Sequence, residues 1–166
     1  AQPGKKLLFM GSEFGVPDEW NHEQELAWGI ANEESHAGIV KWVSDLNAAL
    51  GDYPALYELD NDPAGFDWVV GDDATNSVYA FLRFDTKRSP VLFVANFTPV
   101  VRSDYRLGVP VAGPWVELLN GDNLRYGGSG ILNQGDLETE AVFSHGFDNS
   151  IRITVPPLTG IFLVPA

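Results

Sequence analysis

Gly4-Lys-Lys-Leu-Leu-Phe-Met-Gly-Ser-Glu-Phe-Gly15, followed by Glu19-Trp-Asn-His22, is an apolar run that opens into a polar, aromatic loop. Lys6 to Met10 is too short for a helix and is bounded by Gly4 and Gly11, which predicts a strand. A strand this apolar must be covered by neighbours, and the loop after it is built to meet a ligand. No self-sufficient domain would put such a strand within a few residues of its first position. The chain therefore reads as the closing piece of a larger protein, beginning just before the end of its catalytic domain.

Outward from that strand, two regimes meet near residue 60. Gly11 to about Asn32 reads as loop, with one helical turn around Glu23 to Trp28. Between His36 and Leu50 the residues Ile39, Val43, Leu46 and Leu50 recur at helical spacing, with Ser35 as N-cap and Gly51 and Pro54 placed to stop the helix. Burying that stripe is worth roughly 1.5–3 kcal/mol per side chain, so it needs a surface to pack on. After Asp60 the period changes to two. Strands are expected at Phe66–Val70, Val78–Phe84, Val91–Phe97, Ser103–Leu107, Trp115–Leu119, Ser150–Val155 and Ile161–Val164, separated by turn clusters. Short strands so spaced predict an antiparallel sandwich. Val91–Ala95, apolar on both faces, suits a central strand. Ile151, Ile153 and Val155 alternate with Arg152 and Thr154, as in a half-exposed one. Asn120 to Phe147 reads as a Gly-rich excursion with one more strand near Glu140–Phe143. Trp68 and Trp115 are expected in the core, given how much apolar surface an indole buries.

Composition narrows the partners. Ten Lys and Arg against 23 Asp and Glu leave a net charge of −13, which repels phosphate backbones and anionic membranes. Nucleic acid and membrane partners are therefore not expected, whereas a neutral sugar meets no such penalty. The chain has no cysteine, which excludes disulfides, thiolate metal sites and a cysteine nucleophile. No stretch reaches the length of a membrane span, and the first residues show no signal-like apolar run, so the expected location is cytoplasmic.

If the first strand and the following helix belong to a (β/α)8 barrel, Gly11 to His22 lies on the face where such barrels carry their active sites. Glu13, Trp20 and Asn21 are then the candidate substrate-binding residues, with Asp18, Glu19 and His22 beside them. An indole offers a platform for a sugar ring, and an Asn side chain both donates to and accepts from hydroxyls. The alternatives are that Glu13 orders its own loop and that Trp20 only packs against the barrel. Retaining glycoside chemistry needs two carboxylates roughly 5–5.5 Å apart, and nothing in the pattern demands that Glu13 and Glu19 form such a pair. His22, His36 and His145 have no ligand spacing, so no metal or other cofactor is expected. Asp60-Asn-Asp62 lacks the later ligands of a calcium loop. Neither Gly11–Gly15 nor Gly127–Gly130 has the spacing of a nucleophile elbow. Asn96-Phe-Thr98 matches a glycosylation acceptor by chance, because it sits at the end of a buried strand.

Lys5–Phe14 with Glu19-Trp-Asn-His22 closely resembles the end of the barrel in bacterial glycogen branching enzymes of the α-amylase superfamily. Val94-Ala-Asn-Phe-Thr-Pro99 with Asp104-Tyr-Arg106 is the most specific match. Trp115, Leu119-Asn120, Tyr126, Gly128-Ser129 and Pro156-Pro-Leu158 extend it through nearly the whole chain. The resemblance implies an enzyme that cuts an α-1,4-glucan and rejoins the piece through an α-1,6 bond, with amylose or glycogen as partner. Its aspartate nucleophile, glutamate acid/base and second aspartate lie on earlier barrel strands, and none maps onto this chain. No catalytic residue is therefore expected here, and the chain alone is expected to be inactive. The implied architecture is the last strand and helix of a (β/α)8 barrel over residues 1–59, then an all-β sandwich over 60–166. The competing reading is a sandwich that only binds α-glucan or only makes protein contacts; a dedicated binding module has no reason to keep Leu7–Met10 and an amphipathic helix. Separated from a barrel, those two elements would expose on the order of a few hundred Å² of apolar surface. The chain is expected either to dimerise through it or to fold it back on the sandwich.

Overall fold

The alternation that begins at Phe66 builds seven strands. A computed structural model describes residues 1–166 throughout. The strands are β1 (Phe66–Asp73), β2 (Val78–Phe84), β3 (Pro90–Asn96), β4 (Arg102–Val109), β5 (Trp115–Asn120), β6 (Asn149–Val155) and β7 (Thr159–Pro165), preceded by one long helix, α1 (Glu34–Asp52). All seven expected strands form. The eighth, near Glu140, does not: Glu140 makes only an isolated bridge to Ser150, and the excursion otherwise holds isolated bridges of Leu137 to Trp115 and Ser144 to Phe147 and one short 3₁₀ segment at Leu124–Tyr126.

The strands pair antiparallel into a five-stranded sheet ordered β1-β2-β3-β7-β5 and a two-stranded sheet of β4 and β6. β3 lies in the middle of the larger sheet and is covered on both faces, as its unbroken apolar run requires. The inward residues Val78, Ala80, Leu82, Leu92, Val94, Ile161 and Leu163 meet Leu107, Val109, Ile151, Ile153 and Val155 from the small sheet in one core. Trp115 is wholly buried among them, and its Nε1 donates to the Val111 carbonyl at 3.0 Å. Asn96 is buried as well; its amide donates to the carbonyls of Val100 and Pro156, which leaves it no role as a glycan acceptor.

Trp68 departs from expectation. It faces the outer side of the large sheet and is 53% exposed. The register of β1 against β2 shifts between Trp68 and Val70, so Val69 and Val70 are both buried while Trp68 stays opposite Phe81 on the outside. An inserted residue of this kind breaks the period of two, and no periodicity argument from the sequence can see it.

α1 covers the other half of that outer face. Ala49, with Trp42, Leu46 and Leu50 around it, packs on Val91, Phe162 and Val164. The helix also meets the excursion: the Tyr126 hydroxyl donates to Asp45, the Trp42 and Tyr126 rings meet edge to face at 5.0 Å, and Gly38 lies directly against the Tyr126 carbonyl. The expected caps differ. Glu33 precedes the helix without a side-chain cap, Ser35 lies inside it, and Gly51 does not end it. Pro54 does, because the residue before a proline is pushed out of the helical region, where Tyr53 has φ −113° and ψ 96°.

Lys6–Met10 does not form a strand. It pairs with no strand of this chain, and Leu7 is 83% exposed. A strand takes its ladder and its cover from neighbours, and the sandwich offers this segment neither. The segment is folded back instead. Lys6 bonds Asp60 at 2.9 Å, and the buried Arg83 guanidinium donates to the Ala1 carbonyl at 2.7 Å and to Asp60 at 2.7 Å.

Candidate functional site

The loop after residue 10 is held by local geometry that its glycines permit. Gly11 and Gly15 have φ of +89° and +67°, in the left-handed region where a side chain is strained, and a Cβ at either would strike Val16 or Ile39. Backbone bonds from Phe14 and Val16 to the Gly11 carbonyl close the turn. The turn is then fixed to the helix. Phe14 is buried with its ring 5.1 Å from that of Trp28, and His36 Nδ1, near the start of α1, donates to the Phe14 carbonyl at 2.8 Å. Trp28 belongs to a 3₁₀ turn at Trp28–Asn32, which replaces the helical turn expected around Glu23 to Trp28.

Three candidate residues emerge differently. Trp20 is exposed, stands edge-on to Phe9 at 5.6 Å and borders a concavity of about 610 Å³. Phe9, Met10, Ser12, Asp18 and Glu19 line the same hollow. Glu13 turns away from it: its Oε2 accepts from the Gly11 N–H at 2.9 Å, so this carboxylate orders its own loop. Asn21 also closes a local turn, with Oδ1 accepting from the Glu23 N–H at 3.0 Å. The structure thus brings Trp20 together with Asp18 and Glu19, and not with Glu13 or Asn21.

This arrangement can present an aromatic face and two carboxylate acceptors to a polyhydroxylated ligand. Nothing in it activates a nucleophile or a proton donor. No three His, Asp or Glu side chains converge where they could hold a metal ion. Sequence reasoning missed Phe9, which was assigned to a buried strand and instead supports the Trp20 ring. It also missed His36 as the anchor of the loop. Its only signal was a lone histidine beside the helix start, which does not distinguish an anchor from a surface residue.

The fold and this site define the class. Residues 68–166 match the family model described as the alpha amylase C-terminal all-beta domain, and the chain belongs to that family. Its full length is similar to bacterial proteins named 1,4-alpha-glucan branching enzyme GlgB, as the resemblance in the loop and in Val94–Pro99 indicates. The Pseudomonas fluorescens (strain Pf0-1) protein is 54% identical over 98% of this chain and 22% of its own length. Those of Cereibacter sphaeroides and Aromatoleum aromaticum are 51% and 52% identical over 100% and 99% of the chain. The chain spans about a quarter of the length of these relatives, between 22% and 26%. No helix is long and apolar enough to cross a membrane.

Proposed function

We propose that this chain is the C-terminal part of a 1,4-α-glucan branching enzyme, which transfers α-1,4-glucan segments to form α-1,6 branches in a polymer such as glycogen. The observation that carries this is the 54% identity to a branching enzyme along 98% of the chain. Residues 1–59 would complete a (β/α)8 barrel, and 60–166 would form the sandwich beside it. Leu7–Met10 would then gain the ladder and the cover that this chain cannot supply. Trp20 would meet glucan at the cleft rim. Glu13 and Asn21 would contribute by holding the loop's shape, since one side-chain oxygen of each already accepts a backbone N–H within it. None of these residues is assigned bond cleavage, and the chain alone is expected to have no branching activity. A cysteine-free protein of this charge suits the cytoplasm.

The test is a hybrid in which this chain replaces the matched segment of the Pseudomonas fluorescens enzyme. Formation of α-1,6 linkages from amylose is expected from the hybrid and not from the 166-residue chain. Trp20→Ala in the hybrid should raise KM for amylose more than it lowers kcat, because a platform binds ground state and transition state alike. A folded hybrid without branching activity would overturn the proposal.

A further inference from the structure

Residues 11–22 carry the hollow that Trp20 borders, and a single polar side chain ties them to α1. Four backbone bonds, from Ser12 to Phe9, from Phe14 and Val16 to Gly11, and from Gly15 to Ser12, fix the shape of the turn but not its place on the molecule. That place is set at the helix. His36, in the first turn of α1, donates from Nδ1 to the Phe14 carbonyl at 2.8 Å, the only hydrogen bond between residues 11–22 and α1. A carbonyl only accepts, so Nδ1 carries the hydrogen, in the neutral ring as in the cation. No other group of the chain bonds that carbonyl, so losing His36 leaves a half-buried acceptor without a partner. Apolar contacts flank the bond, with the Phe14 ring on Trp28 and Gly15 against Ile39 of α1. The helix is itself fixed, packed on Val91, Phe162 and Val164 and bonded through Asp45 to the Tyr126 hydroxyl.

We propose that His36 is a positioning residue for glucan binding: through the Phe14 carbonyl it holds the turn that places Trp20. The inference rests on the branching-enzyme reading above and deepens it at the same rim. Two observations carry it. Gly11, Ser12, Gly15 and Val16, four of the nine residues lining the hollow, belong to the turn that His36 holds, whereas His36 itself does not line the hollow. Trp20 also has little else to orient it. Its ring neighbours are Phe9 at 5.6 Å and His22 at 6.2 Å, both exposed and both on the same N-terminal stretch. A stacking platform that must be ordered at the moment of binding loses affinity to that ordering. His36 orders the segment beforehand from a helix seated on the sandwich, so its contribution falls on KM rather than on kcat. Because the ring donates from Nδ1 whether neutral or charged, the contribution is the same on either side of the histidine titration.

Steady-state branching of amylose by the hybrid enzyme tests this with two replacements. His36→Leu removes the donor and should raise KM several-fold while kcat stays within about twofold. His36→Asn, whose amide nitrogen stands one bond from Cγ as Nδ1 does, should restore KM, with its ratio to wild type flat from about pH 6 to 8. Because His36 acts through the platform, His36→Leu combined with Trp20→Ala should be no worse than Trp20→Ala alone. An unchanged KM in His36→Leu, a defect that His36→Asn shares, or effects of the two replacements that multiply overturns the proposal. Hydrogen exchange on the 166-residue chain supplies a readout without catalysis. Peptides covering residues 11–22 should exchange several-fold faster in His36→Leu than in wild type or His36→Asn, while those of β2 and β3 stay alike. Equal exchange in all three proteins overturns the proposal as well. A folded hybrid that makes no α-1,6 linkages sinks the branching reading, and exchange then still decides whether His36 holds the loop. An active hybrid indifferent to His36→Leu sinks the positioning role alone.

Discussion

Replacing Asp60 by Asn would leave the guanidinium of Arg83 buried without its counter-charge. Arg83 is 0% exposed; it donates to Asp60 Oδ1 at 2.7 Å and spends its other contacts on the carbonyls of Gly65 and Ala1 at 3.1 and 2.7 Å. Breaking such a pair by removing one partner costs about 3–5 kcal/mol, mainly as the penalty on the stranded charge. The Asp60 side chain is 15% exposed, so water relieves part of that and the lower end applies, about 3 kcal/mol. Lys6, on the same carboxylate at 2.9 Å but more exposed, adds at most about 1 kcal/mol. For a chain of this size a 3 kcal/mol loss lowers the melting temperature by roughly 6–12 °C. Urea unfolding followed by far-UV circular dichroism measures the loss at pH 7, and a pH series checks its origin. Burial pushes the Asp60 carboxyl up, but the hydrogen bonds from Arg83 and Lys6 outweigh it and hold it below the usual carboxylate range. The stabilisation is therefore fully present above the unfolded carboxyl's pKa, about 3.9, and is lost as pH falls through the lower folded value. The gap between wild type and Asp60→Asn should stay constant from about pH 7 to 5 and narrow only below about pH 4. The double replacement Arg83→Met with Asp60→Leu should recover most of the loss, since no charge is then buried. A loss under about 1 kcal/mol at pH 7, or a gap indifferent to acid, would refute the buried-charge argument.

Two further changes probe how the excursion and the small sheet are held. Gly38→Ala would add about 1 kcal/mol to an isolated helix, yet here its Cβ would land on the Tyr126 carbonyl, so the protein should lose about 1–3 kcal/mol in urea unfolding. A stabilised variant would show that α1 does not pack on the excursion this closely. The Tyr105 hydroxyl donates to Asp73 Oδ2 at 2.6 Å, and that bond is the chief reason the Asp73 carboxyl lies below the usual range. Tyr105→Phe should raise the Asp73 pKa and cost about 1.5–3 kcal/mol near neutral pH. Because this carboxyl too is depressed on folding, its contribution should fade at a higher pH in the variant as acid is added. A carboxyl NMR titration showing no change for Asp73 would count against that bond.

The alternation after Asp60 determined all seven strands and the central position of β3. A sandwich strand states its own period, and its inward residues are apolar wherever its neighbours come to lie. The helical stripe at Ile39–Leu50 was legible for the same reason, and the match of Lys5–Phe14 and Val94–Pro99 to a known family lay in the residues themselves. Three things were decided only by tertiary structure. Trp68 went outward because one inserted residue in β1 shifted the register, a property of pairing with β2 that β1 alone does not contain. Leu7–Met10 stayed unpaired because a strand exists only through its neighbours and the sandwich offers it none, while Arg83, Asp60 and Lys6, distant in sequence, set where that segment rests. The engagement of Glu13 and Asn21 within their own loop, leaving Trp20 to face the hollow, followed from a turn closed by Gly11 and anchored by His36. Composition marks which side chains could meet a sugar, but which atoms remain free to do so depends on hydrogen bonds that exist only once the chain has folded.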